Sequence, residues 1–186
     1  MPHWPRTIAM LNQKGGVGKT TSTANLGAVL ADSGCRVLLI DLDPQGHLTL
    51  HLGLAPGPDD PTAYDLLLDP QCQASDTIMH ARDRLDAIFS EVDLAIAESE
   101  LPAIKDRQSI LKRKMATIRD QYDVIIIDCP PSLGQLTLNA LAMADEVIVP
   151  MQAHFLALQG VGRLLETVEL MTQSVNPDLR VTGILL

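Results

Sequence analysis

The consecutive residues Gln13-Lys14-Gly15-Gly16-Val17-Gly18-Lys19-Thr20-Thr21 have the types and spacing needed to hold a polyphosphate. Glycines let backbone N–H groups converge on an anion, and a helix beginning here adds the positive end of its dipole. In that arrangement Lys19 would reach the β- and γ-phosphates, and the Thr20 hydroxyl would take one position on Mg²⁺. The pattern G-x-x-x-x-G-K-[ST] asks for glycine at position 13, where this chain has Gln13, and a second lysine, Lys14, opens the loop. A lysine there points away from its own phosphates and is free to reach another nucleotide.

Two acidic segments complete the chemistry. Asp41-Leu42-Asp43-Pro44-Gln45-Gly46 and Asp128-Cys129-Pro130-Pro131-Ser132 each follow an apolar run. Asp128 has the position and type of an acid that holds Mg²⁺, commonly through a water, and Asp43 is placed to orient a water for in-line attack on a γ-phosphate. The alternative is that these aspartates only cap turns. His47 and His51 stand four apart, a spacing that on a helix can present two ligands to a transition metal, but no third ligand is evident. Cys129 is one isolated thiol, too few for an iron–sulfur cluster, and reads as a small buried hydrophobe.

The elements that must position these groups alternate along the chain. Thr7–Asn12 reads as a first strand and Lys19–Ser33 as a first helix, with Leu26, Val29 and Leu30 on one face and Gly34 as its left-handed stop. Arg36–Asp41 is a second strand, apolar on both faces as interior parallel strands are. After a turn-rich break from Pro56 to Pro61, Thr62 caps a short helix through Leu68, and Leu85–Ser90 is a weaker strand. Ile104, Leu111, Met115, Ile118 and Tyr122 recur at helical spacing. Val124–Ile127 is a third strong strand, Gln135–Met143 a helix and Glu146–Val149 a strand. Val161, Leu164, Leu165, Val168, Met171 and Val175 stripe a long helix before the apolar run Val181–Leu186. Repeated strand–helix units imply an α/β fold, a doubly wound, mostly parallel sheet with helices on both faces. Ligands sit at the carboxyl ends of such strands, so both acidic segments should face the crevice that holds the phosphate loop.

Composition sets outer limits. At 186 residues the chain is read as a single domain with room for a sizeable core. No apolar run is long enough to span a bilayer, and Met1–Arg6 lacks a signal peptide's apolar segment, so the expected location is cytoplasmic with no membrane partner. Three widely spaced cysteines argue against a disulfide framework. A net charge of −9 excludes a polyanion-binding surface spread over the whole body, though not a local basic patch. Lys105, Arg107, Lys112, Arg113, Lys114 and Arg119 fall in one stretch and read as a solvated face.

The three motifs together resemble the ParA/MinD superfamily of P-loop NTPases. Lys14–Thr21 is similar to its deviant Walker A loop, Asp41–Gly46 to its second acidic motif, and Ile125–Ser132 to its Walker B segment. The run from Asn139 to Leu186 is similar to the ParA (Soj) branch rather than to MinD. The resemblance implies a partition-type ATPase, weak without an activator, that uses ATP and Mg²⁺ and forms an ATP-dependent homodimer. It implies catalytic roles for Lys14, Lys19 and Asp43, phosphate contacts from Lys14, Gly15, Gly16, Val17, Gly18, Lys19, Thr20 and Thr21, and metal binding by Thr20, Asp43 and Asp128. Lys14 would cross to the partner's phosphates, and Gly16 must be small for two loops to approach. Implied partners are a ParB-type centromere-binding protein and, for a full-length parent, nonspecific DNA and a nucleoid location.

Two departures qualify the resemblance. His47 stands where the family usually has a small polar residue such as Asn. The family also continues for several dozen residues beyond the equivalent of Leu186, so the chain is expected to lack the family's C-terminal portion. Two other readings remain open on the sequence, a relative that positions another cargo and a non-catalytic remnant that binds nucleotide at most.

Overall fold

The structure, a computed structural model, describes residues 5–153 and 157–186. Strand β1 (Arg6–Met10) leads to helix α1 (Lys19–Asp32), strand β2 (Val37–Asp41) and the short helix α2 (His47–His51). There follow α3 (Ala63–Leu68), β3 (Ile78–Arg82), β4 (Leu85–Ile88), α4 (Leu94–Glu100) and α5 (Ile110–Met115). The chain continues through β5 (Val124–Asp128), α6 (Gln135–Met143), β6 (Glu146–Pro150), α7 (Ala157–Ser174) and β7 (Arg180–Leu185). Among the described residues these strands form one sheet in the order β3-β4-β2-β5-β1-β6-β7. All neighbours are parallel except β3, which runs antiparallel to β4.

Side-chain alternation divides the interior strands between two cores. Ala9, Leu38, Ile40, Ile125 and Ile127 pack into one core with residues of α3 to α7. Ile8, Met10, Val37, Leu39 and Ile126 point the other way and pack with α1 and α2. Every residue of β2 is buried, as its continuous apolar run requires. The order places β5 between β2 and β1, so the carboxyl ends of the three motif-bearing strands lie side by side. Asp41 pairs in register with Asp128, and Met10 with the same Asp128 on the other side.

Several expectations are corrected. The first strand ends at Met10 rather than Asn12. Helix α1 buries Lys19, Thr23, Gly27 and Ala31, while Val29 is 60% exposed. The small residues win because a Cβ on Gly27 would lie 2.7 Å from Leu39 Cδ2, so the helix backbone rests directly on the Leu39 side chain of β2. The helical stripe from Ile104 to Tyr122 is broken, because Asp106 takes a positive φ of 54° and only Ile110–Met115 is α-helical. Its apolar members Leu111, Met115, Ile118 and Tyr122 are nevertheless buried. On α7, Leu165 is exposed although Leu164, Val168 and Met171 are buried. The sequence reading did not anticipate β3 or α4. Thr62 does cap α3, in a reciprocal capping box with Asp65. Among the described residues no helix is long and apolar enough to cross a membrane.

Candidate functional site

Positive φ at Gly16 (71°) and Gly18 (92°) bends the loop after β1 into the start of α1. Gly18 is the N-cap of α1, with no side-chain cap, and no acidic residue stands in the first turn. The orphan N–H groups and the dipole of a 14-residue helix are therefore left for an anion. The loop is also tied to the far side of the sheet. Asn12 accepts from the Lys14 N–H at 3.0 Å and donates to the Pro150 carbonyl at 2.7 Å, and Gln152 donates to the Gly16 carbonyl at 3.2 Å.

A cleft of about 490 Å³ opens above the loop. Gly15, Gly16, Gly18, Lys19, Thr20 and Thr21 form one wall. Asp43, Gln45, His47 and His51 face it from the segment after β2, with Pro131 at the end of the β5 segment. Lys14 is exposed and lies outside this lining, as its place at the loop's start suggests. Val17 is buried and lies outside the lining. The site therefore brings together the loop and Asp43, with Asp128 directly beneath.

Asp128 is fully buried, near Thr20 and Lys19, both of which favour its charged form. Its Oδ1 lies 3.5 Å from Thr23 Oγ1, while its Oδ2 has no hydrogen-bond partner among the described residues. Burial pushes the Asp128 carboxyl up to about 6; hydrogen bonds from Thr20 and Thr23 and the charge of Lys19 pull it down, and Asp43 pushes it up. An orphaned, buried carboxylate oxygen beside a threonine hydroxyl fits a hydrated Mg²⁺. Asp41 is likewise pushed up to about 7, mainly by burial and then by the neighbouring Asp128 charge, against hydrogen bonds from Thr49 and Asp43.

His47 and His51 fall on α2, where His51 Nδ1 pairs with the His47 carbonyl at 2.9 Å. No group of three or more His, Cys, Asp and Glu residues suited to a metal occurs among the described residues. The solvated basic face is corrected in part. Lys105, Lys112 and Arg113 are exposed, but Lys114 Nζ donates to the carbonyls of Asp69, Pro70 and Cys72, and Arg119 pairs with Asp145 at 2.7 Å. Cys129 is fully buried, and burial raises its thiol far above the ordinary range.

An uncapped helix start, a converging lysine and threonine, and two strand-end acids define a P-loop nucleotide-binding protein. Residues 5–181 match the family described as an AAA domain. The chain is 47% identical over 182 residues to sporulation initiation inhibitor protein Soj of Bacillus subtilis, covering 97% of this chain and 72% of that protein. It is 45% identical over 186 residues to an uncharacterized protein of Mycobacterium tuberculosis, covering 99% of this chain and only 58% of that protein's length. The crystal structure of cobyrinic acid a,c-diamide synthase from Mycobacterium smegmatis with bound ADP and magnesium matches with a TM-score of 0.92. That match is 44% identical and covers 97% of this chain and 74% of the other. The chain belongs to the AAA-domain family, in its group of ParA/Soj-type P-loop ATPases.

Asp41 and Ser90 hydrogen-bond the Asp43 backbone from outside the cleft and Thr49 joins the two, and sequence reasoning gave them no role. Asp41 was visible as a motif member; Ser90 carries no local signal, because only the pairing of β4 with β2 brings it near.

Proposed function

We propose that this chain binds Mg-ATP through Gly15–Thr21 and hydrolyses it, as part of a ParA-like protein that helps segregate plasmid or chromosomal DNA. The observation that carries this reading is the joining of the uncapped α1 terminus, Lys19 and Thr20 at one cleft, with the buried, orphaned Asp128 oxygen behind it. Lys19 holds the β- and γ-phosphates, Thr20 and Asp128 hold the metal with Asp43 nearby, and Asp43 orients the attacking water. Bound magnesium supplies charge neutralisation on the phosphate oxygens. Lys14, exposed and outside its own cleft, reaches the phosphates of a second copy in an ATP-dependent homodimer. A Cβ on Gly16 would meet nothing within 4 Å in its own chain, leaving the loop open to such an approach. A ParB-type activator and, in a longer parent protein, nonspecific DNA are the proposed partners, with a cytoplasmic, nucleoid-associated location.

Phosphate release from Mg-ATP tests the reading. Asp43→Ala is expected to keep ATP binding while losing roughly 100-fold or more in turnover, because only water positioning is removed. Lys14→Ala is expected to lose turnover and weaken the dimer with monomer binding intact. Equal phosphate release by wild type and Asp43→Ala would refute the assignment. A second reading, diamide synthesis, rests on the likeness to the Mycobacterium smegmatis structure; it requires turnover that rises on adding cobyrinic acid together with an ammonia donor.

A further inference from the structure

Asp43 is held by its backbone on both sides. Asp41 Oδ1 accepts its N–H at 3.1 Å, and Ser90 Oγ donates to its carbonyl at 2.8 Å. The two holders are joined through Thr49. The Ser90 N–H donates to Thr49 Oγ1 at 3.2 Å, and that hydroxyl donates to Asp41 Oδ2 at 3.0 Å. The Thr49 N–H reaches the same Asp41 oxygen at 3.1 Å. The result is a closed ring, Asp41–Asp43–Ser90–Thr49, whose members are all buried, at 1%, 9%, 3% and 6% exposure. It joins the end of β2, the segment after β2, α2, and the residues just past β4. The Asp43 carbonyl accepts a second bond from the Gly46 N–H at 2.9 Å, and the competing acceptor for Ser90 Oγ, the Glu91 carbonyl, is 3.5 Å away. Gly46 has φ +61°, and a Cβ there would meet the Ser90 carbonyl oxygen at 3.0 Å, so the segment packs closely on this ring.

We infer that Asp41, Thr49 and Ser90 are positioning residues that clamp the Asp43 backbone so that its carboxylate faces the cleft. The inference rests on the role proposed above for Asp43. Asp43 lines the cleft, its Oδ1 accepting from the Gln45 N–H at 3.0 Å, while its main-chain N–H and carbonyl are turned into the ring. With both backbone groups pinned, little freedom remains beyond side-chain rotation, and a displacement of about 1 Å at such a group can cost roughly 100-fold in rate. The buried Thr49 hydroxyl accepts from the Ser90 N–H and donates to Asp41, so it holds a single geometry, because breaking either bond strands a polar group.

The test pairs turnover with amide hydrogen exchange on the 186-residue chain. Ser90→Ala and Thr49→Val are expected to lower kcat about tenfold while KM for Mg-ATP changes less than about twofold. Thr49→Ser, which keeps the hydroxyl, should recover most of what Thr49→Val loses. In an Asp43→Ala background Ser90→Ala should cost nothing further. Independently of turnover, Ser90→Ala should speed exchange in the segment from Asp43 to Leu50 and leave β1 and β5 unchanged. Unchanged exchange in that segment would overturn the clamp. Faster exchange with unaltered kcat would overturn its role in positioning. If instead wild type and Asp43→Ala turn over equally, the role of Asp43 fails, and exchange still decides whether the ring holds the segment.

Discussion

At the scale of single residues, two buried acids set a pH dependence opposite to that of most carboxylates. Asp41 is pushed up to about 7 and Asp128 to about 6, chiefly by burial and then by neighbouring carboxylates. Across the interval between their ordinary values and these, the folded chain holds protons that the unfolded chain releases. Stability therefore falls as pH rises through that window. Without metal or nucleotide, the melting midpoint should climb as pH is lowered from about 8 to about 5, and Asp128→Asn should flatten the slope. A midpoint that rises with pH, or a slope indifferent to Asp128→Asn, would count against this account. Much of the residue-level site was legible in the sequence. Gly15–Thr21, Asp43 and Asp128 lie in short contiguous motifs whose chemistry depends on local spacing. Thr49 and Ser90, 41 residues apart, were not legible, because they meet only when β2 and β4 pair.

At the scale of elements, the site depends on how closely α1 rests on the sheet. Gly27 faces Leu39, a fully buried side chain with three atoms within 3.3 Å of where a Cβ would stand. Gly27→Val should therefore destabilise the fold by about 2 kcal/mol, despite the better helix propensity of a non-glycine residue, since overpacking costs about 1–3 kcal/mol. A denaturant titration showing an unchanged midpoint would mean that the helix shifts freely. This contact was hidden from pattern reading, which ranked Val29 above Gly27 by hydrophobicity. Elements with strong local signals were recovered: the all-apolar β2 and β5, the helix Gln135–Met143, and the Thr62 cap. Strand β3, Ile-Met-His-Ala-Arg, is an antiparallel edge strand without a clean alternation, and offered no such signal. The stripe from Ile104 to Tyr122 kept helical spacing for burial while Asp106 broke the helix, so periodicity reported the buried side and not the backbone.

For the whole molecule, charge decides what the surface can bind. Acidic residues outnumber basic ones 23 to 14, and several cations are already engaged. Arg6, Arg36, Arg82 and Arg119 are in ion pairs, and Lys114 is turned onto backbone carbonyls. Affinity for DNA scales with the phosphates that free cations neutralise. This chain should therefore bind duplex DNA weakly even with ATP, and a salt-dependent mobility shift showing tight, salt-sensitive binding would contradict that. The edge strand β7 adds a second whole-molecule property, because Val181, Ile184 and Leu185 are exposed along it and an exposed apolar edge favours self-association. Both the fold and the proposed chemistry converge on one ligand at one loop. The most direct measurement is the melting shift caused by saturating Mg-ATP in the wild type and in Lys19→Ala. At about 100 times the dissociation constant, binding adds about 2.7 kcal/mol, a rise of roughly 5–10 °C for a chain of this size. The account predicts that rise in the wild type and its loss in Lys19→Ala; an equal rise in both would contradict it.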